Sequence, residues 1–277
     1  FNGQFVWYDR VGDKQDYPIG SFSGNLIDPA TLACAPADTD APEFALTSPQ
    51  LNQAVSGMQT IRAHVTDVSG VTKLLMTLAT KNGNKTYVYE AGKSNNSLVK
   101  NGDTYSVAID TNTLLDGETF VVLRGTDGAG NTRYWNNNAA IRQHSFVVDN
   151  VKPSSTNDLP AMVNGALTVT QALTDNHKAQ SGKLRIWKLD ANGTQNNLKF
   201  FATSDVAVNG DNNVVYQLDT KQLHGDGKYV AKFTATDTAG NASVVNVPFT
   251  VDTTLPAGFA IALSDGRNAQ GTTIGGE

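Results

Sequence analysis

The 277-residue chain has a single cysteine, Cys34. No disulfide can close within it, and a lone thiol is read as unpaired or as the partner of a cysteine elsewhere. None of its four histidines (His64, His144, His177, His224) stands in a recognisable catalytic setting. A thiolate nucleophile needs such a neighbour to lower its pKa. Charge is also sparse: 17% of residues, 21 basic against 26 acidic, for a net charge of −5 with no basic run. Phosphate neutralisation needs clustered cations, so a nucleic-acid partner is excluded. No stretch of about 20 apolar residues occurs, so no helical membrane span is expected. There is no Gly-x-Ser-x-Gly elbow, no His-Glu-x-x-His pair and no phosphate-cradling glycine loop. No pair of carboxylates is marked out by its setting as an acid/base couple. No catalytic residue is assigned.

What the chain does have is turns and short alternating strands. Glycine is frequent, at 25 residues. The alternating stretches begin with 58–65, 71–80, 86–90, 105–109, 119–123 and 143–148. The order then repeats at 167–173, 183–189, 198–201, 214–218, 228–234 and 243–251. Asn82-Gly83 is read as a two-residue hairpin whose central residues both need positive φ. Landmarks recur at a near-constant offset: Asn82 to Asn192 is 110 residues, Asp110 to Asp219 is 109 and Asp127 to Asp237 is 110. Such an offset across several strands indicates duplication. It falls to 103 between Asp149 and Asp252, so 110 − 103 leaves seven extra residues in the first copy, within 132–142. No helical period is present. About seven short strands per ~110 residues predicts an all-β fold of tandem immunoglobulin-like antiparallel β-sandwiches.

The expected division is a segment 1–40 belonging to an upstream domain or packing on the first repeat, then repeat 1 at 41–151. Repeat 2 follows at 152–254, and 255–277 opens a third repeat, with Phe259 to Leu263 as its first strand. Phe5 to Tyr8 reads as a further strand. The first residue is Phe1 and the last Glu277, and the chain is expected to be a piece of a longer protein.

Each repeat closes on one pattern: Thr126-Asp-Gly-Ala-Gly-Asn131 with Val148-Asp149, and Thr236-Asp-Thr-Ala-Gly-Asn241 with Val251-Asp252. Thr-Asp-x-Ala-Gly-Asn followed by a strand ending Val-Asp-x-x-x-Pro resembles the bacterial immunoglobulin-like repeats of large secreted and surface proteins. The resemblance covers roughly residues 40–256. It implies an extracellular or cell-surface location and a non-catalytic spacer or interaction role in adhesion or ligand presentation. The partners it implies are a host or substrate protein or a surface glycan. The alternative is the accessory region of a large secreted hydrolase, such as a subtilisin-like cell-envelope protease. Asp226-Gly-Lys-Tyr229 offers a tyrosine corner that Asp116-Gly-Glu-Thr119 lacks.

Three features bear on binding. Asp127 and Asp237 are expected to accept backbone N–H bonds across their turns, with Gly130 and Gly240 at positive φ. Calcium is the rival occupant: Asp149 and Asp252, at the module junctions, are its candidate ligands together with acids from loops of the neighbouring module. Tyr134, Trp135 and Asn136, in the seven-residue insertion, are the candidate ligand-binding residues, placed by expectation at the loop end of the sandwich. The rival reading has the two aromatic rings plugging their own sandwich. Trp187, out of phase with the core residues Leu184 and Ile186, is expected to point outward.

Overall fold

A computed structural model describes residues 37–138 and 144–254, together with four two-residue strands near the start. These are β1 (Asn2–Gly3), β2 (Trp7–Tyr8), β3 (Lys14–Gln15) and β4 (Phe22–Ser23), pairing β1 with β4 and β2 with β3. Cys34, the rest of the strand expected at Phe5–Tyr8 and the strand expected at Phe259–Leu263 lie outside the described residues.

The first sandwich is built from β5 (Glu43–Ser48), β6 (Ala54–Val55), β7 (Met58–Thr66), β8 (Val71–Thr80) and β9 (Gly83–Glu90), followed by β10 (Val99–Asn101), β11 (Thr104–Asp110), β12 (Gly117–Asp127), β13 (Thr132–Trp135) and β14 (Ser145–Val148). One sheet runs β10-β11-β7-β5, the other β6-β14-β12-β8-β9 with β13 also on β12. The second sandwich contains β15 (Ser154–Asn157), β16 (Met162–Val163), β17 (Ala166–Thr174), β18 (Ala179–Leu189) and β19 (Gln195–Ala202), then β20 (Val206–Ala207), β21 (Asn213–Asp219), β22 (Gly227–Asp237) and β23 (Ala242–Val251). Its sheets are β15-β17-β21 and β16-β23-β22-β18-β19, with β20 also on β18. Equivalent strands therefore share a sheet, β5, β7 and β11 (with β10) in the first sandwich and β15, β17 and β21 in the second, facing the sheet that holds the closing strands, which is the immunoglobulin arrangement. Each last strand also pairs in parallel with a two-residue strand, β14 with β6 and β23 with β16.

Alternation drives each sheet onto its partner. In β12, Thr119, Val121, Leu123, Gly125 and Asp127 are buried; in β22, Tyr229, Ala231, Phe233, Ala235 and Asp237 are. Two separate cores result, one around Ile61, Leu74, Met76, Tyr105 and Phe146, the other around Val169, Leu184, Ile186, Tyr216 and Phe233. Each large aliphatic side chain so buried contributes about 1.5–3 kcal/mol. Gly125 is obligatory for a packing reason: a Cβ there would meet the Phe44 ring at 2.8 Å.

The hairpin expected at Asn82-Gly83 sits one residue earlier. Thr80 pairs with Gly83, so Lys81 and Asn82 form the loop, and the positive φ falls on Gly83 (111°) alone. Lys81 keeps a negative-φ turn, which a lysine adopts without strain, and glycine absorbs the left-handed step that follows.

Candidate functional site

The Asp-x-x-Gly-Asn turns do the structural work expected of them. Asp127 accepts from the Asn131 backbone N–H (2.7 Å), and Asp237 accepts from Ala239 and Asn241 N–H (2.9 and 2.8 Å). Gly130 and Gly240 take φ of 96° and 90°. The asparagine side chains then reach out of the sandwich. Asn131 donates to the carbonyls of Asp38 and Asp40 (3.0 and 3.1 Å), and Asn241 to those of Asp149 and Val151 (2.7 and 3.3 Å). Each turn therefore grips the segment that enters its own module. A second grip comes from the acid before the penultimate strand, which holds the segment leaving the module. Asp116 accepts from the backbone and side-chain amides of Asn150, and Asp226 from the N–H and hydroxyl of Thr253 and the hydroxyl of Thr254.

These grips bring three carboxylates together at each module entrance. Asp149 meets Asp175, from the β17–β18 loop, and Asp237; Asp38 meets Asp67, from the β7–β8 loop, and Asp127. In each group one oxygen per acid lies within 4.8 Å of the others. Oxygens around a calcium ion at 2.3–2.6 Å can be at most about 5 Å apart, so this spacing suits it. Asp149 is fully buried, and neither of its carboxylate oxygens has a hydrogen-bond partner; Asp38 Oδ2 and Asp175 Oδ2 are likewise buried and unpartnered. Burial, then the charges of Asp175 and Asp237, push the Asp149 carboxyl above the usual range. The Asn176 amide and the Val151 N–H pull the other way more weakly, outside bonding geometry. Asp127 differs. Burial pushes it up, but the Asn131 side chain and the N–H groups of Asn131, Gly130 and Ala129 outweigh this and hold it below the usual range. An unpaired buried carboxylate beside two more is unstable without a cation. Three hard oxygen donors on adaptable loops fit calcium better than the rigid octahedron that magnesium demands.

Of the two expected metal ligands, Asp149 stands in such a group, and Asp252 stands in none among the described residues. Asp252 accepts from Thr254 N–H (3.0 Å) and donates its own N–H to the Val163 carbonyl (3.2 Å). Asp38, Asp67 and Asp175 were missed, and the signal for them was present. Asp38-Thr-Asp-Ala-Pro42 is a third Asp-x-x-x-Pro beside those at Asp149 and Asp252, and Asp67 and Asp175 are 108 residues apart.

The insertion is placed differently from expectation. The final turns, Asp127–Asn131 and Asp237–Asn241, are of equal length. The extra residues interrupt the last strand midway, leaving β13 opposite Leu123–Thr126 and β14 opposite Gly117–Phe120, whereas β23 pairs unbroken along β22. Asn136, at φ 55°, donates its amide to the carbonyls of Val121 and His144 (2.8 and 3.0 Å). That closes the base of the excursion and spares both halves of the ladder, so an insertion is tolerated at the sheet edge. The aromatic pair is split, because neighbours in a strand face opposite ways. Trp135 packs on the core and stacks on His144 (4.1 Å); Tyr134 is 53% exposed with the Arg124 guanidinium 5.1 Å from its ring centre. Tyr134 borders a depression of about 230 Å³ with Leu75, Thr77, Val122, Arg124 and Asn137.

Fold and junctions together define tandem immunoglobulin-like β-sandwiches joined through acid-lined entrances. No protein-family model and no curated protein sequence matches the chain. Among solved structures it is similar to a Ca2+-stabilized adhesin that helps an Antarctic bacterium bind ice, at 19% identity and TM-score 0.41, over 94% of this chain and 59% of that one. It is similar to a 1.5-MDa bacterial ice-binding adhesin at 17% identity and TM-score 0.38, over 82% and 71%. It is also similar to PorU from Porphyromonas gingivalis, at 13% identity and TM-score 0.29, spanning 78% of this chain but 21% of PorU.

Proposed function

We propose that the chain is a non-catalytic spacer and interaction region of a bacterial extracellular or cell-surface protein, its modules locked end to end by calcium. The proposed modules run 41–151 and 152–254, with 1–40 as the tail of an upstream domain or a segment packing on the first module and 255–277 as the start of a third repeat. The observation that carries the reading is Asp149: third from the end of the first module, fully buried and unpartnered between two acids of the second. A cation there restricts rotation between neighbours and turns a string of sandwiches into a rod. Such a rod holds whatever lies beyond it away from the cell and presents it to a host or substrate protein or a surface glycan. Asp252 is the proposed counterpart for the following module. Extracellular calcium suits weak sites of this kind, whose affinities lie around 10⁻⁴–10⁻³ M.

Thermal melts and small-angle scattering of the full chain, with calcium and with chelator, test this. Calcium should raise the melting temperature and narrow the distribution of end-to-end distances. Superimposable curves at millimolar calcium overturn it, because any ligand bound only by the folded state must stabilise it.

A further inference from the structure

The outer face of the second sandwich carries a row of apolar side chains that neither the core nor the junction uses. Trp187 of β18 stands opposite Phe200 of β19 on one side and Val230 of β22 on the other, and Val230 stands opposite Pro248 of β23. All four lie out of phase with the buried Leu184, Ile186, Tyr229, Ala231 and Phe249, and so face away from the core. The row crosses four strands, roughly 15 Å at the spacing of strands in a sheet. Phe200 is 54% exposed, and Leu198, in the irregular stretch of β19 beside it, is 90% exposed. Trp187 and Val230 are half-buried and Pro248 is exposed. The like-facing row alongside is cationic: Arg185 of β18 opposite Lys232 of β22. Arg185 is exposed and Lys232 half-buried. Among the described residues neither has a hydrogen-bond or ion-pair partner, whereas Lys183, nearby, is held by Asp205 at 2.9 Å. The same face of the first sandwich has Thr77 and Thr86 at its centre, their hydroxyls bonded to each other at 2.9 Å.

We propose that this face binds a linear acidic polysaccharide, with sugar rings lying on Trp187 and Phe200 and carboxylates meeting Arg185 and Lys232. The charge decides the class of ligand: two unpartnered cations on a chain of net charge −5 form a local site for anions. The shape decides between polymers. The row runs across the strands over the face of the sheet, whereas a peptide adding a strand would lie along the edge of β19, perpendicular to the row. A sugar ring offers a flat C–H face to an aromatic ring and hydroxyls or carboxylates at its edge. Its spacing along an extended glycan is comparable to that between neighbouring strands.

The test is affinity electrophoresis and calorimetry of the full chain with polygalacturonate, in calcium-free buffer because calcium gels this polymer. The platform lies within one sandwich, so its failure and that of the calcium junction are separable. Binding is expected, weakening with salt and with methyl esterification of the polymer. Phe200→Ala should cut affinity about tenfold, and Arg185→Gln with Lys232→Gln at least as much, with unchanged melting. Trp187→Ala adds a second measure where it folds. No retardation at low salt overturns the proposal, as does wild-type affinity in Phe200→Ala. Concentration-dependent dimerisation abolished by Phe200→Ala, without glycan binding, overturns it in favour of a second copy of this chain.

Discussion

Asn241, in the last turn of the second sandwich, donates its side-chain amide to the backbone carbonyl of Asp149, at the end of the first, over 2.7 Å. The same nitrogen donates to Asp237 Oδ2 at 2.8 Å. One amide thus fixes both the entering chain and an acid of the triad. Asn241→Ala should cost about 2 kcal/mol, since it removes bonds to a carbonyl and to a carboxylate. It should also uncouple the modules. Calorimetry checks both, with one merged unfolding transition in the wild type and two in the variant.

Asp149→Asn separates a capping role from a cation site by the sign of its effect. Without calcium the substitution removes a buried, unpaired charge and should raise the melting temperature. With calcium the variant should gain little, whereas the wild type should gain about 2.7 kcal/mol at a hundredfold excess over Kd. The two melting curves should therefore cross in order as calcium is titrated. A variant less stable than wild type in chelator would mean that the carboxylate has a partner of its own.

The two repeats contain a natural comparison at the start of their penultimate strands. Tyr229 donates its hydroxyl to the Gly225 carbonyl at 2.5 Å and stacks on Phe249 at 5.5 Å. Thr119, at the matching position, is fully buried and its hydroxyl has no partner. Tyr229→Phe should destabilise by about 1 kcal/mol. Thr119→Val, of the same shape, should be neutral or stabilising by about as much. Denaturant titrations should lower the midpoint of Tyr229→Phe and leave that of Thr119→Val unchanged or raised.

Asp226 supplies the pH dependence. The Thr253 hydroxyl and N–H, and the Thr254 hydroxyl, hold its carboxyl below the usual range against the pull of burial. A depressed folded pKa means stability that is complete above the unfolded value, about 3.9, and is lost as pH falls through the folded one. Wild type should therefore lose more stability than Asp226→Asn between pH 5 and the acid limit. Parallel curves would show that the exit segment is not held by this carboxylate.

The sandwiches were legible because burial writes itself as alternation: Ile61, Ala63 and Val65, or Leu74, Met76 and Leu78, announce their strands. The edge strand Ser154–Asn157 was not, since a half-exposed edge needs no such pattern, and in Glu43–Ser48 the alternation is only two residues deep, Phe44 and Leu46. The junction was legible in part. Asp149 stood out beside a proline and a duplicated motif, but Asp67 and Asp175 belong to turns in which an acid is ordinary. Only the fold shows that those turns face Asp149 and Asp38. The midway placement of the insertion was hidden for a similar reason: the sequence counts extra residues, while the ladder decides where they can leave it. Trp187 could be read as outward, yet its row with Phe200, Val230 and Pro248 depends on register across four strands.

Tyr134 and Trp135 are adjacent and should nevertheless behave as opposites. Trp135 packs on the first core and against His144, so Trp135→Ala opens a void at the base of the excursion. A fully buried tryptophan costs about 3–5 kcal/mol to truncate, and this half-buried one should approach the lower figure. Tyr134 rests on the surface beside Arg124, and Tyr134→Ala should change stability by no more than about 0.5 kcal/mol. We propose the depression it borders, lined by Leu75, Val122, Arg124 and Asn137, as the place where this candidate binding residue would meet a ligand. Attachment assays on cells or extracted glycans should therefore follow Tyr134→Ala and Arg124→Ala, while melting follows Trp135→Ala. If Tyr134→Ala melts early and attaches normally, the tyrosine is a prop for the strand end and the binding role passes to the Trp187 face of the second sandwich.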